Sequence, residues 1–412
     1  MNTNETRFLK WWGLAFVASI TLVVAFNAII DPYSLLNMPR FPGLNARKPA
    51  VDTEQRLMKA YDVFRERPRT LILGSSRAAL GIDALSAAWT NHERPVYNLA
   101  FGEGSPYMAY RYLQHVISRQ SVSMVVMGLE LEYFLRGFHD QDYEFESHLS
   151  VERDGTPRWN SWIHLRDQGL GLASLGAFTD SISTMSANWL KDSSDMRSGN
   201  WHWTDLPQRL SAWGAHAQFT MTDILAAPLY GRRELATATM DTVRNILDLC
   251  ESRHIRIIIF ISPAHADELE LMHLTGMWPV FEQWESELAA LVALHGKMGN
   301  RDLPVLWDFT GYDSFTEESV LRRRWSLKWF MEPAHYSREM GDVIIRRLLN
   351  RDDSNFGAVV TSENVQSHLQ ELRREREAYR LQHPVDAVRV RELYELATVG
   401  RLSPTADLAD LQ

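Results

Sequence analysis

The chain has 412 residues, of which 45% are hydrophobic, so it can bury a large core and most of it is expected to fold. A formal net charge of -9 argues against general nucleic-acid binding, because no basic face dominates the composition. Cys250 is the only cysteine, which excludes an intrachain disulfide and a thiolate metal cluster. The spacing of His265, Asp267 and His273 matches no ligand motif, so we expect no metal and no cofactor.

The first predicted element is a membrane-spanning helix. No charged residue occurs from Trp11 to Ile30, and about twenty residues at 1.5 Å per residue cross ~30 Å of hydrocarbon. A cleaved signal peptide and a buried core helix are the alternatives. The apolar run is longer than the usual signal h-region and no small-x-small cleavage site follows it, which favours an uncleaved anchor.

The charges that flank this segment predict its orientation. Arg7 and Lys10 precede it and Asp31 follows it, which favours a cytoplasmic N-terminus, although basic residues farther along weaken the count. In a bacterium this arrangement is a single pass of the inner membrane with the main domain in the periplasm.

The rest of the chain is expected to form a connector, an α/β domain and a helical extension. The prolines Pro32, Pro39 and Pro42 indicate a short stalk after the anchor. The predicted domains are the anchor 1–30, the connector 31–60, the α/β domain 61–350 with an insertion at about 136–230, and the C-terminal helical extension 351–412.

Apolar runs that alternate with amphipathic segments predict βα units and a doubly wound parallel sheet. The strands are predicted at Thr70–Gly74, Val96–Ala100, Met124–Leu129, Ile255–Ser262 and Val305–Phe309. The helices that alternate with them are predicted at Pro106–Ser118, Met240–Arg253 and Phe281–Leu294.

The predicted insertion shows no strand pattern and is expected to be mainly helical or irregular. Tryptophans are concentrated there: Trp159, Trp162, Trp189, Trp201, Trp203 and Trp213. They are either packing anchors of a loop-rich segment or the wall of a lid that stacks on sugar rings. The second interpretation makes Trp201 and Trp203 candidate substrate-binding residues.

The last fifty or so residues predict two helices. Thr361 and Ser362 are good N-caps, and the apolar repeat that begins at Val365 indicates a surface helix. A second helix is expected from Pro384 to Gly400.

A candidate nucleophile lies in the segment LILGSSRAALGID. A serine at such a strand-to-helix turn projects from the carboxyl end of the strand, close to backbone N–H groups that can stabilise an oxyanion. A turn of small residues that caps a helix or holds a phosphate is an equally good interpretation of this segment alone.

A candidate acid and base lie far downstream, where Glu332 and His335 are three residues apart before an amphipathic helix. A general base must take the serine proton, and a carboxylate must orient and stabilise the imidazole. An isolated E-x-x-H is a weak motif, because surface helices produce it by chance.

The two segments together resemble the SGNH (GDSL-like) hydrolase superfamily, in which Gly-Asp-Ser follows the first strand and Asp-x-x-His precedes the last helix. Gly74, Ser75 and Ser76 match the first block, with Ser75 in place of Asp. Glu332 and His335 match the last block, with Glu in place of Asp. The resemblance implies a three-layer α/β/α fold of flavodoxin-like topology, with Ser76 as nucleophile and His335 and Glu332 as its catalytic partners.

The second block of the family resembles the segment that starts at Tyr97. There the resemblance implies that backbone N–H groups of Ser76 and Gly102 form the oxyanion hole, with Gly104 as the second candidate. The same glycines could be mistaken for a dinucleotide-binding motif, but a third glycine at the required offset is missing.

The third block departs from the family. Gly-x-Asn-Asp is replaced by Gly128-Leu129-Glu130-Leu131, so the Asn that donates to the oxyanion is missing. Loss of one such donor costs on the order of 100- to 1000-fold in rate. Asn98 and Arg77 are possible replacements, and Arg77 and Glu130 are candidate substrate-binding residues.

These blocks behind a single anchor are similar to periplasmic SGNH-like proteins that work with membrane-bound O-acyltransferases on cell-surface polymers. The similarity implies an O-acyltransferase, with acetyl as the expected group, that modifies an exopolysaccharide or envelope glycan. A membrane-bound O-acyltransferase is then the expected source of the acyl donor. A carbohydrate esterase or lipase-like hydrolase with the same residues, and a non-catalytic accessory subunit that binds glycan or the acyltransferase, are the alternatives.

Overall fold

The computed structural model describes residues 3–135, 143–158, 161–190, 197–200, 234–296, 304–319 and 327–398. Its α-helices are α1 (Thr3–Ile30), α2 (Val51–Glu66), α3 (Ser76–Gly81), α4 (Pro106–Ile117), α5 (Ser161–Ala173), α6 (Leu175–Leu190), α7 (Thr237–Ser252), α8 (Ala266–Leu274), α9 (Trp278–Gly296), α10 (Arg338–Leu348), α11 (Val365–Gln382) and α12 (Pro384–Thr398). Its strands are β1 (Thr70–Leu73), β2 (Val96–Asn98), β3 (Met124–Leu129), β4 (Arg256–Ile261), β5 (Val305–Asp308), β6 (Phe330–Glu332), β7 (His335–Tyr336) and β8 (Ala358–Val360).

The chain divides into two compact units. The first, called the N-terminal unit, comprises Met1–Glu66, Gln114–Arg119 and Asp142–Thr204. The second, called the sheet unit, comprises Arg67–Leu113, Gln120–Gln141 and Asp205–Gln412. Residues 142–204, which the sequence analysis assigned to an insertion of the α/β domain, thus cluster with the N-terminal helices.

The sheet unit is mixed α/β and is built on a six-stranded sheet of order β2-β1-β3-β4-β5-β8. The first five of these strands run parallel, and β8 pairs antiparallel with β5. The five predicted strands are confirmed, each within two residues at either end. Nearly every strand residue of β1, β3 and β4 is buried, as expected for strands that are covered on both faces.

The C-terminal part of the sheet unit contains elements that the sequence analysis did not identify. The short strand β8 and the antiparallel hairpin β6–β7 are only two or three residues long per strand, too short for a period-2 pattern to be recognised. The two predicted C-terminal helices are confirmed as α11 and α12, and α12 begins at Pro384 as predicted.

The N-terminal unit begins with the predicted apolar helix. Its segment Glu5–Ile30 is long and apolar enough to cross a membrane, with a mean hydropathy of 2.3 over its most apolar stretch. Most of its side chains are exposed in the chain alone, including Trp11 and Leu22.

The connector after α1, predicted to be a short stalk, contacts the end of that helix. Lys48 is buried, and its Nζ donates to the backbone carbonyls of Ile30 (2.8 Å) and Asp31 (2.6 Å). These carbonyls lie at the helix end, where intrahelical donors run out, so the ammonium group acts as a C-cap. Burial of this amine lowers the pKa of Lys48 to about 8.

Candidate active site

The turn after β1 presents Ser76. Gly74 has φ +146°, and a Cβ at this position would lie 3.0 Å from the Cβ of Ala78 and 3.1 Å from the carbonyl of Gly128, so glycine fits here best. Ser75 is the N-cap of α3, and its Oγ accepts from the backbone N–H of Arg77 at 3.2 Å. Ser76 follows as the first residue of α3 and is partly exposed.

The hairpin β6–β7 carries Glu332 and His335, the predicted acid and base. Glu332 and His335 are paired across it, with Pro333 and Ala334 in the turn. One carboxylate oxygen of Glu332 accepts from the backbone N–H of Ala334 at 3.1 Å, and the other bonds to Nδ1 of His335. The carboxylate therefore fixes both the turn and the orientation of the imidazole.

The two segments meet at one point. The Nε2 atom of His335 lies 2.7 Å from Oγ of Ser76, so serine, histidine and carboxylate form one hydrogen-bonded chain. The side chain of Glu332 is 1% exposed and that of His335 is 19% exposed. An oriented imidazole beside an accessible hydroxyl is the arrangement that activates a serine for nucleophilic attack.

The electrostatics of the acid fit this arrangement. Burial tends to raise the pKa of Glu332, but the charge of His335 and the hydrogen bonds from His335 and Ala334 outweigh it and hold the pKa below its ordinary value. Glu332 is therefore ionised at neutral pH and stabilises a positive charge on the imidazole.

Two glycines allow the hairpin to approach α3. A Cβ on Gly81, at the end of α3, would lie 2.0 Å from the ring of Tyr336. A Cβ on Gly341, in α10, would lie 1.9 Å from the carbonyl oxygen of Gly81. Both distances are far below any van der Waals contact, so only glycine permits the packing that places His335 next to Ser76.

The loop after β2 lies against the nucleophile turn. The backbone N–H of Phe101 donates to the carbonyl of Gly74 at 3.1 Å, and a Cβ on Gly104 would lie 2.5 Å from the same oxygen. Gly102 is part of this loop and is partly exposed. The segment that resembles the second block of SGNH hydrolases is thus adjacent to Ser76, while the donor role of Gly102 stays a prediction.

Asn98 does not reach the mouth of the site. Its side chain is fully buried, and its Nδ2 donates to the carbonyls of Ala78 (3.1 Å) and Ile82 (2.7 Å), while its Oδ1 accepts from the N–H of Ala100. The amide therefore ties β2 to α3. The expectation that Asn98 replaces the missing oxyanion donor is not met, because backbone groups already occupy its hydrogen-bonding positions.

Arg77 and Glu130 are also internal. Arg77 is 6% exposed and its guanidinium bonds to Glu132 at 3.1 Å and Glu268 at 2.7 Å. Glu130 is 5% exposed, and one of its oxygens accepts from Oγ of Ser262 at 2.7 Å. Neither side chain is presented to a substrate, in contrast to the expectation from the sequence.

These groups line a cavity of about 30 Å³. Burial, together with the negative charge of Glu132, raises the pKa of Glu130 to about 7, against the opposing effects of Arg77 and of hydrogen bonds with Ser262 and Ser75. Glu130 is thus largely protonated below neutral pH and is connected to the cap residue of the nucleophile helix.

The sequence analysis missed Glu132, Ser262 and Glu268 as members of this cluster. Ser262 directly follows β4, and side chains at the carboxyl ends of parallel strands share one edge of the sheet, so its position was a usable signal. Glu132 lies three residues after β3, where the same signal applies, whereas Glu268 in α8 gave no such signal.

The tryptophans proposed as sugar-stacking residues are only partly described. Trp201 and Trp203 lie outside the described residues. Trp162 and Trp189 are in α5 and α6 of the N-terminal unit, and both are strongly exposed.

Two groups of side chains in the described ranges have the spacing of metal ligands. One, Asp248, Glu251 and His295, is largely at the surface, and the other is Glu285, Asp308 and His368. In the second group, Nε2 of His368 lies 2.8 Å from Asp308. Burial and the neighbouring Asp308 raise the pKa of Glu285 well above its ordinary value, which indicates a carboxyl that keeps its proton.

A scan against protein-family models, a search of curated proteins and a search of solved structures found no match to this chain.

Proposed function

We propose that this chain is a membrane-anchored serine acyltransferase of the SGNH type that transfers an acyl group, with acetyl as the expected group, to hydroxyls of an exported glycan. The observation that carries the proposal is the hydrogen-bonded chain from Ser76 through His335 to Glu332. No step of this chemistry needs a cofactor.

The strand order supports the finer fold assignment. The order of the first five strands, 2-1-3-4-5, is that of flavodoxin-like doubly wound sheets, in which ligands bind at the carboxyl ends of the strands. Ser76 follows β1 at this edge, and the acid and base precede α10. This is the arrangement of blocks on which the resemblance to SGNH hydrolases depends.

In the proposed first half-reaction, Oγ of Ser76 attacks the carbonyl carbon of the acyl donor while Nε2 of His335 takes the hydroxyl proton. Glu332 holds Nδ1–H and stabilises the imidazolium. His335 then returns the proton to the leaving group, and an acyl-serine ester remains. The negative charge of the tetrahedral intermediate requires N–H donors, for which the backbone of Ser76 and Gly102 are the candidates.

In the second half-reaction, a glycan hydroxyl gives its proton to His335 and attacks the carbonyl carbon of the acyl-serine. As the ester bond to Ser76 breaks, His335 gives the proton to Oγ, which restores the serine hydroxyl and the neutral imidazole. Water in place of the glycan gives hydrolysis with the same residues, so a carbohydrate esterase is the second candidate. The partial exposure of Ser76 and His335 is compatible with either acceptor. An accessory subunit without catalysis would have no need of a fully assembled hydrogen-bonded triad, which disfavours this alternative.

The proposed location is the inner membrane of a bacterium, with α1 as a single pass and the sheet unit in the periplasm. The apolar segment Glu5–Ile30 supports the anchor. An exported glycan and a donor delivered through the membrane by a membrane-bound O-acyltransferase fit this location.

The test uses the full-length chain in detergent with p-nitrophenyl acetate, with and without an oligosaccharide acceptor. Release of nitrophenol together with an acetylated oligosaccharide supports a transferase. Release of nitrophenol with free acetate as the only acyl product, with or without the acceptor, supports the esterase. The matched control is Ser76→Ala, which removes only the hydroxyl, and equal turnover by this variant would sink the proposal.

A further inference from the structure

The helix α6 exposes large apolar side chains and buries polar ones, unlike a helix at the surface of a soluble protein. Its exposed side chains include Leu175 (80%), Ile182 (46%) and Trp189 (71%). A helix that faces water carries charged and polar residues on its outer face. Here the exposed positions hold large apolar residues beside the small polar Thr179, Ser183 and Ser186, and none of the exposed residues of α6 is charged.

The buried side of α6 is made of small and polar residues. Ala177, Ser181 and Thr184 are fully buried, and Asn188 is nearly so. The Nδ2 of Asn188 donates to the carbonyl of Thr184 at 2.7 Å. Small residues and hydrogen-bonding side chains between helices, with apolar residues outside, are typical of helix packing in membranes.

The preceding helix α5 continues the same surface. Trp162, Leu165 and Leu170 are each more than half exposed, whereas Asp167 is buried and accepts from the hydroxyl of Tyr61 at 2.8 Å. Residues 168–190 contain a single charged side chain, Asp180, and this one accepts from Tyr33 at 2.5 Å. The exposed side of the α5–α6 hairpin thus carries several large apolar side chains, and Arg166 near the start of α5 is an exposed charged one among them.

The hairpin is attached to the last turns of α1. The buried side chain of Asn27 donates to the carbonyl of Leu172 at 2.8 Å and accepts from Oγ of Ser181 at 2.9 Å. The rings of Phe26 and Phe178 meet edge to face at 5.6 Å. These contacts place α5 and α6 beside the end of the membrane-spanning segment.

The length of α1 sets the depth of this attachment. At 1.5 Å per residue, the segment Glu5–Ile30 is about 40 Å long, which exceeds the ~30 Å of hydrocarbon. The last turns around Asn27 therefore reach the interfacial region of the membrane. Tryptophan is the residue type that is enriched at this depth, and Trp162 and Trp189 are both exposed on the hairpin.

We propose that the α5–α6 hairpin lies in the interfacial layer of the membrane that α1 spans, with its exposed apolar face in contact with lipid. The inference rests on the anchoring role of α1, but it does not depend on the chemistry of Ser76. In this arrangement, Trp162 and Trp189 contact lipid and do not stack on sugar rings. Two attachments then hold the N-terminal unit at the membrane. Helix α1 crosses the membrane once, and the hairpin lies in its interfacial layer.

The experiment measures lipid contact of single labels on the full-length chain in vesicles of phosphatidylethanolamine and phosphatidylglycerol. Cys250 is replaced by Ala, and cysteines are introduced one at a time as Ile182→Cys and Trp189→Cys for labelling with a nitrobenzoxadiazole dye. Val17→Cys, in the middle of α1, is the control for the anchor. Arg153→Cys is the control for water, because the side chain of Arg153 is 70% exposed in a turn rich in charged residues.

Lipids with a doxyl quencher at a shallow or deep position of the acyl chain then report depth. With the shallow quencher, we expect the labels at 182 and 189 to be quenched several-fold more strongly than the label at 153. With the deep quencher, we expect the label at 17 to be quenched. Quenching at 182 and 189 no greater than at 153, with normal quenching at 17, would overturn the inference and leave the anchor intact. Labels at 182 and 189 that are shielded from a water-soluble quencher but not reached by lipid quenchers would point to a protein partner, including a second copy, and would also overturn it. Absence of quenching at 17 would contradict the anchor itself.

Discussion

Oγ of Ser76 and Nε2 of His335 lie 2.7 Å apart, although 259 residues separate them in the chain. Ser76 follows β1 and His335 lies in the hairpin β6–β7, and their side chains meet at one edge of the sheet unit. Because one hydrogen bond joins them, we expect their contributions to the proposed reaction to be coupled as well.

Ser76→Ala and His335→Ala are each expected to reduce acyl release by a factor on the order of 10³ to 10⁶, and the double variant is expected to be no slower than either single one. Either substitution alone removes the serine–imidazole pair, so the second substitution has no further activity to remove. The measurement is kcat with p-nitrophenyl acetate, with circular dichroism as the control for folding. Multiplicative losses in the double variant would show that the two residues act separately.

Glu332→Gln is expected to lower kcat on the order of 10⁴-fold while it leaves the fold intact, because an amide cannot orient and stabilise the imidazolium as a carboxylate does. Glu332→Asp, which keeps the charge and has the family's residue type, is the matched control and should retain more activity. A Glu332→Gln variant that stays active while Glu332→Asp loses activity would show that the length of the side chain, not its charge, is what matters.

The same residue predicts a pH effect on stability. Since the folded-state pKa of Glu332 lies below its ordinary value of 4.5, its ionised form stabilises the folded protein above that pH. This contribution is lost as the pH falls through the lower, folded-state pKa. The difference in Tm between wild type and Glu332→Gln is therefore expected to shrink on acidification below pH 4.5, and a constant difference would contradict the assignment.

Gly341→Ala tests the packing that brings the triad together. Its Cβ would clash with the carbonyl of Gly81, so α10 must move away from α3, with an expected loss of about 1–3 kcal/mol in the free energy of unfolding and a fall in kcat. Gly169→Ala in α5 is the matched control, because a Cβ there meets nothing within 4 Å and alanine favours a helix by about 1 kcal/mol. Urea unfolding measures both variants, and an unaffected Gly341→Ala would show that this contact is not tight.

The sequence was sufficient to predict the five parallel strands, because long apolar runs between Gly-containing turns carry that information locally. Glu332 and His335 were singled out by their spacing alone, and the hairpin β6–β7 that carries them is too short to be predicted from a pattern. The partners of Arg77 and Asn98 could not be predicted in the same way, because a polar residue near a motif has the same sequence signal whether it faces a substrate or the interior. Their burial is decided by distant elements such as α8, which supplies Glu268.

The α5–α6 hairpin shows a second limit. The sequence analysis recognised helical or irregular structure rich in tryptophan, but it did not identify which face of α6 is buried. A stripe of Ser, Thr and Asn opposite a stripe of Leu, Ile and Trp has the same period whichever side faces inward. Only the contact of Asn27 with Leu172 and Ser181 shows that the polar stripe is the buried one.

Glu130 gives a prediction that separates a positioning role from a catalytic one. Its raised pKa of about 7 means that the folded state keeps a proton that the unfolded chain loses near pH 4.5. The contribution of the neutral carboxyl is complete below pH 4.5, and it is lost as the pH rises through about 7. The free energy of unfolding should therefore fall over this window.

Glu130→Gln removes this titration and keeps a neutral group that can accept from Ser262 and bond to Ser75. Relative to wild type, it should gain stability as the pH rises from 4.5 to 7, by on the order of 3 kcal/mol, while kcat at pH 6 stays within a few-fold. Glu130→Leu, which cannot bond to either serine, should lose both stability and kcat because the cap of α3 is no longer held. Urea unfolding at several pH values measures the first effect and the p-nitrophenyl acetate assay the second. A wild-type protein that becomes more stable than Glu130→Gln between pH 4.5 and 7 would show that Glu130 is ionised in the folded state and that its carboxylate, not its acid form, supports the site.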